Sequence, residues 1–369
     1  MSPLRFLLTN QLKCHRQAQK TSGFTLLELL VAMVLAFLVI TPLLGFVVNI
    51  METDRKEQAK ANSEQELKAA LDYITQDLQQ AVYIYDADGL DRKYSKTLGK
   101  SGIKDQIPPD VTPRVSGCSP NPNSCVPVLV FWKREQRRQV VQVNKSGASC
   151  PPPATADPSK VSTNCNDAYV YSLVGYYLIA DANNSNSGNP WSNSARIARF
   201  EISDGVVDTS KPLIKKKPQY LTTQPKDKGF NAFDLQGIGT LKQKMNKWQK
   251  DTTTPYEFEF GNNVLVDYID RPTPPTVKQL PGEMTCLQRL PAATKDTSLL
   301  EQRVPSDEKI NNFYACVNSN KNYARIYLRG NSLARIQKTN PPSFSDNNSS
   351  YFPTVTVQVQ GNGSLFTRQ

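Results

Sequence analysis

The sequence contains almost no histidine. Its single histidine, His15, lies near the N-terminus, so the rest of the 369-residue chain has none. A catalytic triad, a cysteine–histidine pair or a metal site built on imidazole therefore cannot form in the body of the chain. Carboxylate and lysine side chains remain as catalytic candidates, but no pattern marks any of them. We expect a protein that is not an enzyme and that uses no cofactor.

Acidic residues are missing from the first 23 positions. This segment carries four of the charges that make up the formal net charge of +11, and its basic residues are Arg5, Lys13, Arg16 and Lys20. The rest of the chain is less strongly basic. Such a surface is compatible with an acidic partner, namely nucleic acid or an acidic polysaccharide. An ordinary solvated surface of mixed charge explains the composition equally simply, and we favour it.

Long apolar runs are absent except for one, Phe24–Ile50, in which Glu28 is the only charged residue. As a helix this run would be about 40 Å long, which exceeds the roughly 30 Å hydrocarbon core of a bilayer. No small-residue cleavage site follows it, so a secretory signal peptide is disfavoured. We predict a transmembrane helix over residues 24–50. The preceding positive charges place the N-terminus in the cytoplasm and the large C-terminal part on the exported side.

Glu28 is costly inside an apolar segment and therefore requires an explanation. One interpretation places it at the headgroup level in the first helical turn, where the helix dipole favours an anion. The other involves a cut between Gly23 and Phe24, which would give Phe24 a new α-amine. In a staggered assembly of parallel helices, that cation would meet the Glu28 carboxylate of a neighbouring subunit.

The stretch GFTLLELLVAM resembles the cleavage and methylation motif of type IV prepilins and type II secretion pseudopilins. The resemblance implies that a prepilin peptidase removes residues 1–23 as a leader by cutting after Gly23. It also implies N-methylation of Phe24 and an assembly role for Glu28. Residues 42–90 and the tail YFPTVTVQVQGNG are similar to the hormogonium polysaccharide secretion pseudopilin of filamentous cyanobacteria.

This resemblance implies a minor pseudopilin with a single pass through the plasma (inner) membrane and a periplasmic head. The subunit would join other pseudopilins in a type IV pilus/type II secretion-like pseudopilus. An ATPase would drive that filament indirectly, through a membrane platform protein, and support polysaccharide export and gliding motility. The alternative is a type IV pilus minor pilin whose basic head binds DNA or a surface. We regard nucleic acid as the less favoured partner.

The pattern along the chain predicts an α+β, pilin-like fold, in which a long N-terminal helix packs on an antiparallel β-sheet head. Residues 51–88 are predicted to form an amphipathic periplasmic helix, because apolar residues recur there at intervals of three and four. Pro42 and Gly45 predict a kink or a locally melted stretch in the membrane half. Residues 89–369 form the predicted head. Its predicted strands are 126–132, 139–143, 168–180, 195–202, 264–269, 324–329 and 354–360.

Residues 203–263 show few periodic apolar positions and are interpreted as an insertion on the head, in part mobile.

Six of the seven cysteines lie beyond the leader, which suggests a disulfide framework in an exported domain. Fifteen connectivities are possible. Pairing of nearest neighbours is the prediction, because each pair brackets a polar stretch that could close as a loop. The pairs are Cys118–Cys125, Cys150–Cys165 and Cys286–Cys316. A metal site is the disfavoured alternative, because no C-x-x-C spacing occurs.

The segment KREQRR, residues 133–138, lies between two predicted strands and is interpreted as an exposed hairpin tip. Its four basic side chains would be available to an acidic polysaccharide. An ordinary solvated turn is the interpretation we prefer. The four candidates are Lys133, Arg134, Arg137 and Arg138.

Overall fold

A computed structural model describes residues 23, 25–118, 124–143, 150, 164–180, 190–214, 218–271, 283–287 and 300–363. The chain divides into two compact units, residues 1–55 and residues 56–369. Helix α1, Leu26–Gln79, belongs to both units. The second unit contains two antiparallel sheets. A long N-terminal helix followed by antiparallel sheets confirms the predicted α+β, pilin-like arrangement.

Helix α1 continues through Pro42 without interruption. The melted stretch predicted near Pro42 is therefore not observed. Proline removes one backbone hydrogen bond, but it leaves the flanking hydrogen bonds of a long helix in place. Thr41 adds a hydrogen bond from its Oγ1 to the Phe37 carbonyl at 2.8 Å.

The second half of α1 presents one buried face to the sheets. Its spacing of three and four residues matches the predicted stripe. Gly330 lies close to this face, because a Cβ atom placed on it would come within 2.8 Å of the Leu67 Cδ1 atom. The buried residues of α1 are Ala59, Ser63, Leu67, Ala70, Leu71, Ile74, Asp77 and Leu78.

The prediction of a helix to residue 88 is wrong, because α1 ends at Gln79. Strand β1 follows at Ala81–Ile84, and all four of its residues are buried. Ala81 and Val82 also fitted the helical spacing, which is why the sequence pattern misplaced the boundary. Burial of consecutive side chains favours a strand that is covered on both faces. A short helix, α2, follows at Ala87–Asp91.

The first sheet has five antiparallel strands in the order β1-β2-β3-β4-β5. The long strands β2 and β3 form its centre and pair from Cys125–Ile179 to Gln142–Cys165. The two runs predicted at 126–132 and 139–143 are thus one strand. The remaining bounds are β2 Cys125–Gln142, β3 Cys165–Ile179, β4 Ala195–Ser203 and β5 Val264–Ile269.

The second sheet has four antiparallel strands in the order β6-β7-β8-β9. It meets the first sheet where Ile269 of β5 bridges Gly330. Beside that bridge a buried ion pair joins Arg329 to Asp270, with 2.8 Å between Nη2 and Oδ2. The strands of the second sheet are β6 Gln302–Val304, β7 Phe313–Asn318, β8 Tyr323–Arg329 and β9 Thr354–Gln360.

Aromatic side chains from the segment between β4 and β5 cover the face of the first sheet opposite α1. Successive residues of a strand point to opposite faces, so Lys133 faces α1 while Trp132 faces this segment. The Trp132 ring contacts Phe230, Phe233 and Trp248 at centroid distances of 5.9, 5.0 and 5.5 Å. We call residues 228–260 the covering segment. It includes helix α3, Leu241–Met245.

The interpretation of residues 203–263 as a partly mobile insertion is therefore wrong for the covering segment. Phe230, Met245, Trp248 and Phe260 are each no more than 3% exposed and belong to the main core. The apolar residues have no regular spacing because most of the segment is neither helix nor strand. Periodicity could not reveal its role.

Candidate processing and assembly site

The described part of the predicted processing motif consists of Gly23, Thr25 and the first turn of α1. Gly23 and Thr25 are exposed, and α1 begins at Leu26. Phe24, predicted as the methylated residue, lies outside the described residues. The Leu29 amide donates to the Thr25 carbonyl at 3.2 Å, which makes Thr25 the N-cap residue.

Glu28 and Thr25 form a reciprocal capping box. The Glu28 amide donates to Thr25 Oγ1 at 3.3 Å, and the Thr25 amide donates to Glu28 Oε2 at 3.1 Å. Thr25 Oγ1 also donates to Glu28 Oε2 at 3.1 Å. The carboxylate therefore satisfies a backbone donor at the helix start, and its negative charge lies at the positive end of the helix dipole.

This cap was not predicted, although T-L-L-E has the spacing of a capping box. The geometry gives Glu28 a local role of the kind expected for a residue at the helix start. The cap does not occupy every acceptor position of the carboxylate, which has about four lone-pair positions and accepts two hydrogen bonds here. The remaining capacity is available to a donor from another chain.

The apolar residues after Glu28 are solvent-exposed in the first unit. Among the described residues, α1 is the single helix that is long and apolar enough to cross a membrane. Exposure reaches 86% for Leu26 and 75% for Phe37. In water, this apolar surface would have to be covered by a partner protein, whereas a lipid bilayer covers it directly.

Residues 19–44 match the family model described as the prokaryotic N-terminal methylation motif. The match supports a type IV pilin or pseudopilin. With the apolar helix, it fits a membrane-anchored protein that is processed by a prepilin peptidase and assembles with other pilins. No match to the chain was found among curated proteins or among solved structures.

The head contains a second group of interacting polar side chains, which joins α1 to three strands. Asp77 of α1 accepts hydrogen bonds from Arg199 Nε at 2.7 Å, from the Tyr176 hydroxyl at 2.6 Å and from Lys133 Nζ at 3.2 Å. Glu201 contacts Lys133 at 3.1 Å and Arg199 at 2.6 Å. Two acids thus balance two bases. We call these four charged residues the buried ion cluster.

Electrostatics keep the buried ion cluster charged. Burial alone would raise the pKa of Asp77, but the hydrogen bond and charge of Arg199, together with the charge of Lys133, lower it below its usual value. Burial and the same two bases act on Glu201 in the same way and lower its pKa. Burial would lower the pKa of Lys133, but Glu201 and Asp77 raise it. Each partner therefore stabilises the charged form of the others.

The buried ion cluster overturns the interpretation of residues 133–138 as an exposed hairpin tip. These residues lie inside β2, where positions 133–137 pair with 168–172 of β3. Lys133 is buried and faces α1, so it cannot contact a polymer. The segment contains no glycine, proline or asparagine that would favour a turn, and this absence is the feature of the sequence that indicates a continuous strand.

The other three basic residues of this segment differ in their surroundings. The Arg134 guanidinium stacks over the Tyr169 ring at 3.7 Å from its centroid. Arg137 contacts Glu135 at 3.4 Å. Arg138 is exposed. The structure therefore does not bring the four predicted contact residues together on one surface.

Three disulfide bonds join the pairs Cys118–Cys125, Cys150–Cys165 and Cys286–Cys316. These are the pairs of nearest neighbours along the sequence after residue 23.

Glu301 lies beside the third disulfide, and ligand atoms of the three residues are within 4.8 Å of one another. A metal ion would need thiolates, but both sulfurs are in the disulfide, and Glu301 accepts a hydrogen bond from Arg325 Nε at 2.8 Å. These three residues therefore have a structural role, not a metal-binding one, in the oxidised protein.

Proposed function

We propose that this protein is a minor pseudopilin, a structural subunit rather than an enzyme. The observation that carries the proposal is the methylation motif at residues 19–44, which leads into a capped, exposed apolar helix and then into a β-sheet head. A subunit of this kind needs a segment for membrane storage and lateral assembly, and a folded head outside the membrane.

The proposed sequence of events begins in the plasma membrane. The N-terminus lies in the cytoplasm, because the first 23 residues carry four basic residues and no acid. Prepilin peptidase cuts after Gly23, and Phe24 is N-methylated. The Phe24 amine of one subunit then pairs with Glu28 of its neighbour, since each charge offsets the cost of burying the other. A platform protein and its ATPase drive the filament from the cytoplasmic side.

The proposed cargo is a polysaccharide. Support comes from the similarity of residues 42–90 and of the C-terminal stretch to the hormogonium polysaccharide secretion pseudopilin. Gliding motility would follow from that export. The alternative of a DNA-binding pilus tip receives no support from residues 133–138, because Lys133 is buried and Arg134 stacks on Tyr169.

The function is tested by deleting the gene and measuring exported polysaccharide and surface pili in the same cells. We expect polysaccharide export to fall while pili remain. Loss of pili with normal export would instead indicate a minor pilin.

Processing is tested by expressing Gly23→Leu in the deletion strain, with Gly23→Ala as the matched control. A bulky residue before the cut should leave the full-length protein in the membrane, whereas the small residue should allow cleavage. N-terminal sequencing that finds Phe24 first in Gly23→Leu would show that the cleavage site is misassigned.

A further inference from the structure

A groove lies between the second half of α1 and strand β5, within the second unit. Its volume is about 400 Å³, inside the range of about 300–1,000 Å³ that is usual for small-ligand pockets. One wall is the face of α1 that carries Glu66, Ala69 and Tyr73, and the other wall is formed by residues 264–267 of β5. Trp191, which precedes β4, also lines it. We call this opening the α1–β5 groove.

Trp191 is held against β5 through the residue that follows it. The Ser192 amide donates to Asp267 Oδ2 at 2.8 Å, and Ser192 Oγ donates to Asp267 Oδ1 at 2.7 Å. These two bonds fix the backbone next to the indole. The ring therefore has a defined place in the groove before any ligand binds, which lowers the entropic cost of binding.

Glu66 is held on the opposite wall. The Arg335 guanidinium contacts Glu66 Oε2, and Arg335 Nε donates to Ser63 Oγ at 2.9 Å. The same guanidinium lies over the Tyr268 ring, 4.3 Å from its centroid. A carboxylate has about four lone-pair positions, so Glu66 keeps acceptor capacity beside this contact.

Strand β5 is irregular where it borders the groove. Ala195 of β4 pairs with Ile269, but Ile197 pairs with Val266, so β5 contains an extra residue between these pairs. Tyr268 lies in this bulge with a φ angle of +60°, a left-handed conformation that is strained for a bulky side chain. Bulges re-aim the side chains of their strand and are frequent beside functional sites.

The groove combines aromatic rings with carboxylates. The face of an aromatic ring is electronegative, so Tyr73 and Trp191 attract the polarised C–H groups of a sugar ring. Tyr73 is 45% exposed and therefore accessible. Glu66 and Asp267 accept hydrogen bonds, and such bonds from hydroxyl groups to a charged acceptor are strong.

The same side chains disfavour other classes of ligand. An anionic polymer would bring like charges close to Glu66 and Asp267. A lipid chain would remove water from these carboxylates without supplying hydrogen bonds. A ligand with apolar C–H faces, hydroxyl groups and no charge satisfies both the rings and the acids.

We propose that the α1–β5 groove binds neutral sugar units of a polysaccharide. The choice of a polysaccharide among hydroxyl-rich ligands rests on the proposed function, in which this polymer is the exported cargo. The groove places the contact beside α1 rather than at residues 133–138. It also makes the recognised part of the polymer neutral rather than acidic.

The test is binding of exported polysaccharide to the full chain, immobilised in detergent and followed by biolayer interferometry. The probe is the polysaccharide that wild-type cells release, separated by anion exchange into a neutral and an acidic fraction. We expect the neutral fraction to bind, and to bind equally in 0.5 M salt, where charges are screened beyond about 4 Å. Acidic polymer that adheres to the basic head should dissociate at this salt concentration.

Two variants with matched controls locate the site. Ala69→Gln puts a longer side chain into the groove from an exposed helical position and should weaken binding at least about tenfold, whereas Ala61→Gln, exposed elsewhere on α1, should not. Trp191→Ala should weaken it by a similar factor, as expected for a central aromatic contact. Tyr169→Ala is its control, because Tyr169 is 52% exposed on β3, outside the groove.

Three results would overturn the proposal. They are an empty neutral fraction, a neutral fraction that does not bind, and neutral binding that survives both Ala69→Gln and Trp191→Ala. Failure of the proposed function looks different, because it is unchanged export after gene deletion. Groove-dependent binding of the neutral fraction would still support the sugar site in that case.

Discussion

Glu28 combines a local contact with the capacity for a second one. Its carboxylate caps α1 through Thr25, and at the same time it is the only acid in an otherwise apolar run. Capping alone requires a side-chain acceptor, which glutamine also supplies. Pairing with the amine of another subunit requires the negative charge. The two roles can therefore be separated by substitution.

We predict that Glu28→Gln keeps the cap but lowers crosslinking to neighbouring pilin-type subunits by at least about tenfold, a change that needs only about 1.4 kcal/mol. Secretion should fall with it, while membrane insertion, cleavage and head folding remain. Glu28→Leu, which also loses the side-chain acceptor of the cap, should lower crosslinking and secretion in the same way. Thr25→Val is the control, because it removes the cap, worth about 1 kcal/mol, and keeps the charge. If Thr25→Val fails to assemble while Glu28→Gln assembles normally, Glu28 acts only as a helix-start residue.

The negative charge of Asp77, like that of Glu28, is required for a contact, here the ion pairs with Lys133 and Arg199. We predict that Asp77→Asn lowers the free energy of unfolding by about 3 kcal/mol at neutral pH, because it leaves Lys133 and Arg199 short of one buried acid. Asp72→Asn, an exposed position on the same helix, should change it by less than about 0.5 kcal/mol. Denaturant unfolding of the full chain in detergent measures both. Wild-type stability in Asp77→Asn would mean that the buried ion cluster does not hold α1.

The same cluster predicts a pH dependence with a definite sign. The pKa values of Asp77 and Glu201 are lowered in the folded protein. Their stabilisation is therefore complete above the ordinary carboxyl values of about 4 and is lost as the pH falls through the lowered values. The difference in unfolding free energy between wild type and Asp77→Asn should shrink below pH 4, in the same denaturant titrations. A difference that stays constant down to pH 2 would contradict this.

For helices and strands, the regular spacing of apolar residues predicted the elements correctly. The ends of elements and the stretches that break this spacing were predicted wrongly. The buried stripe of α1 and five of the predicted strands follow from spacing alone. The end of α1 did not, because Ala81 and Val82 satisfy the helical and the strand pattern equally. Residues 133–138 look like an exposed polar turn, although Lys133 meets the buried acids Asp77 and Glu201. That pairing depends on Asp77, which is 56 residues away from Lys133, and no local pattern reports it.

The covering segment was the largest error at this scale, and it gives a direct test. Phe230 is 1% exposed and packs edge-on against Trp132. We predict that Phe230→Ala costs about 3 kcal/mol or more and weakens the near-ultraviolet circular dichroism of the tryptophans. Ile238→Ala, in the same segment but 91% exposed, should cost less than about 0.5 kcal/mol. Equal stability of the two variants would show that the segment does not cover the sheet.

At the scale of the whole molecule, disulfide bonds close loops of different length. The partners of Cys118–Cys125 are seven residues apart, and those of Cys286–Cys316 are 30 apart. Cross-linking a longer loop removes more entropy from the unfolded chain. The Cys286–Cys316 disulfide also fixes residues 283–287 to β7, which follows them in the sequence.

We predict that replacing both cysteines of the Cys286–Cys316 pair by alanine costs about 3.6 kcal/mol, against about 2.4 kcal/mol for Cys118–Cys125. Thermal unfolding of the two double variants under oxidising conditions compares them. Thiol titration of the denatured, unreduced mature protein should find no free thiol. A larger loss for the shorter loop, or several free thiols in protein from its native compartment, would contradict this description.

The uninterrupted course of α1 through Pro42 has a mechanical consequence. A helix under axial tension yields first where one of its hydrogen bonds is missing, and proline at position 42 cannot donate one. Each residue that passes from helix to extended chain adds about 1.8 Å of length. A filament made of such helices would therefore begin to extend at this position in each subunit, and a single proline would set the place where extension begins.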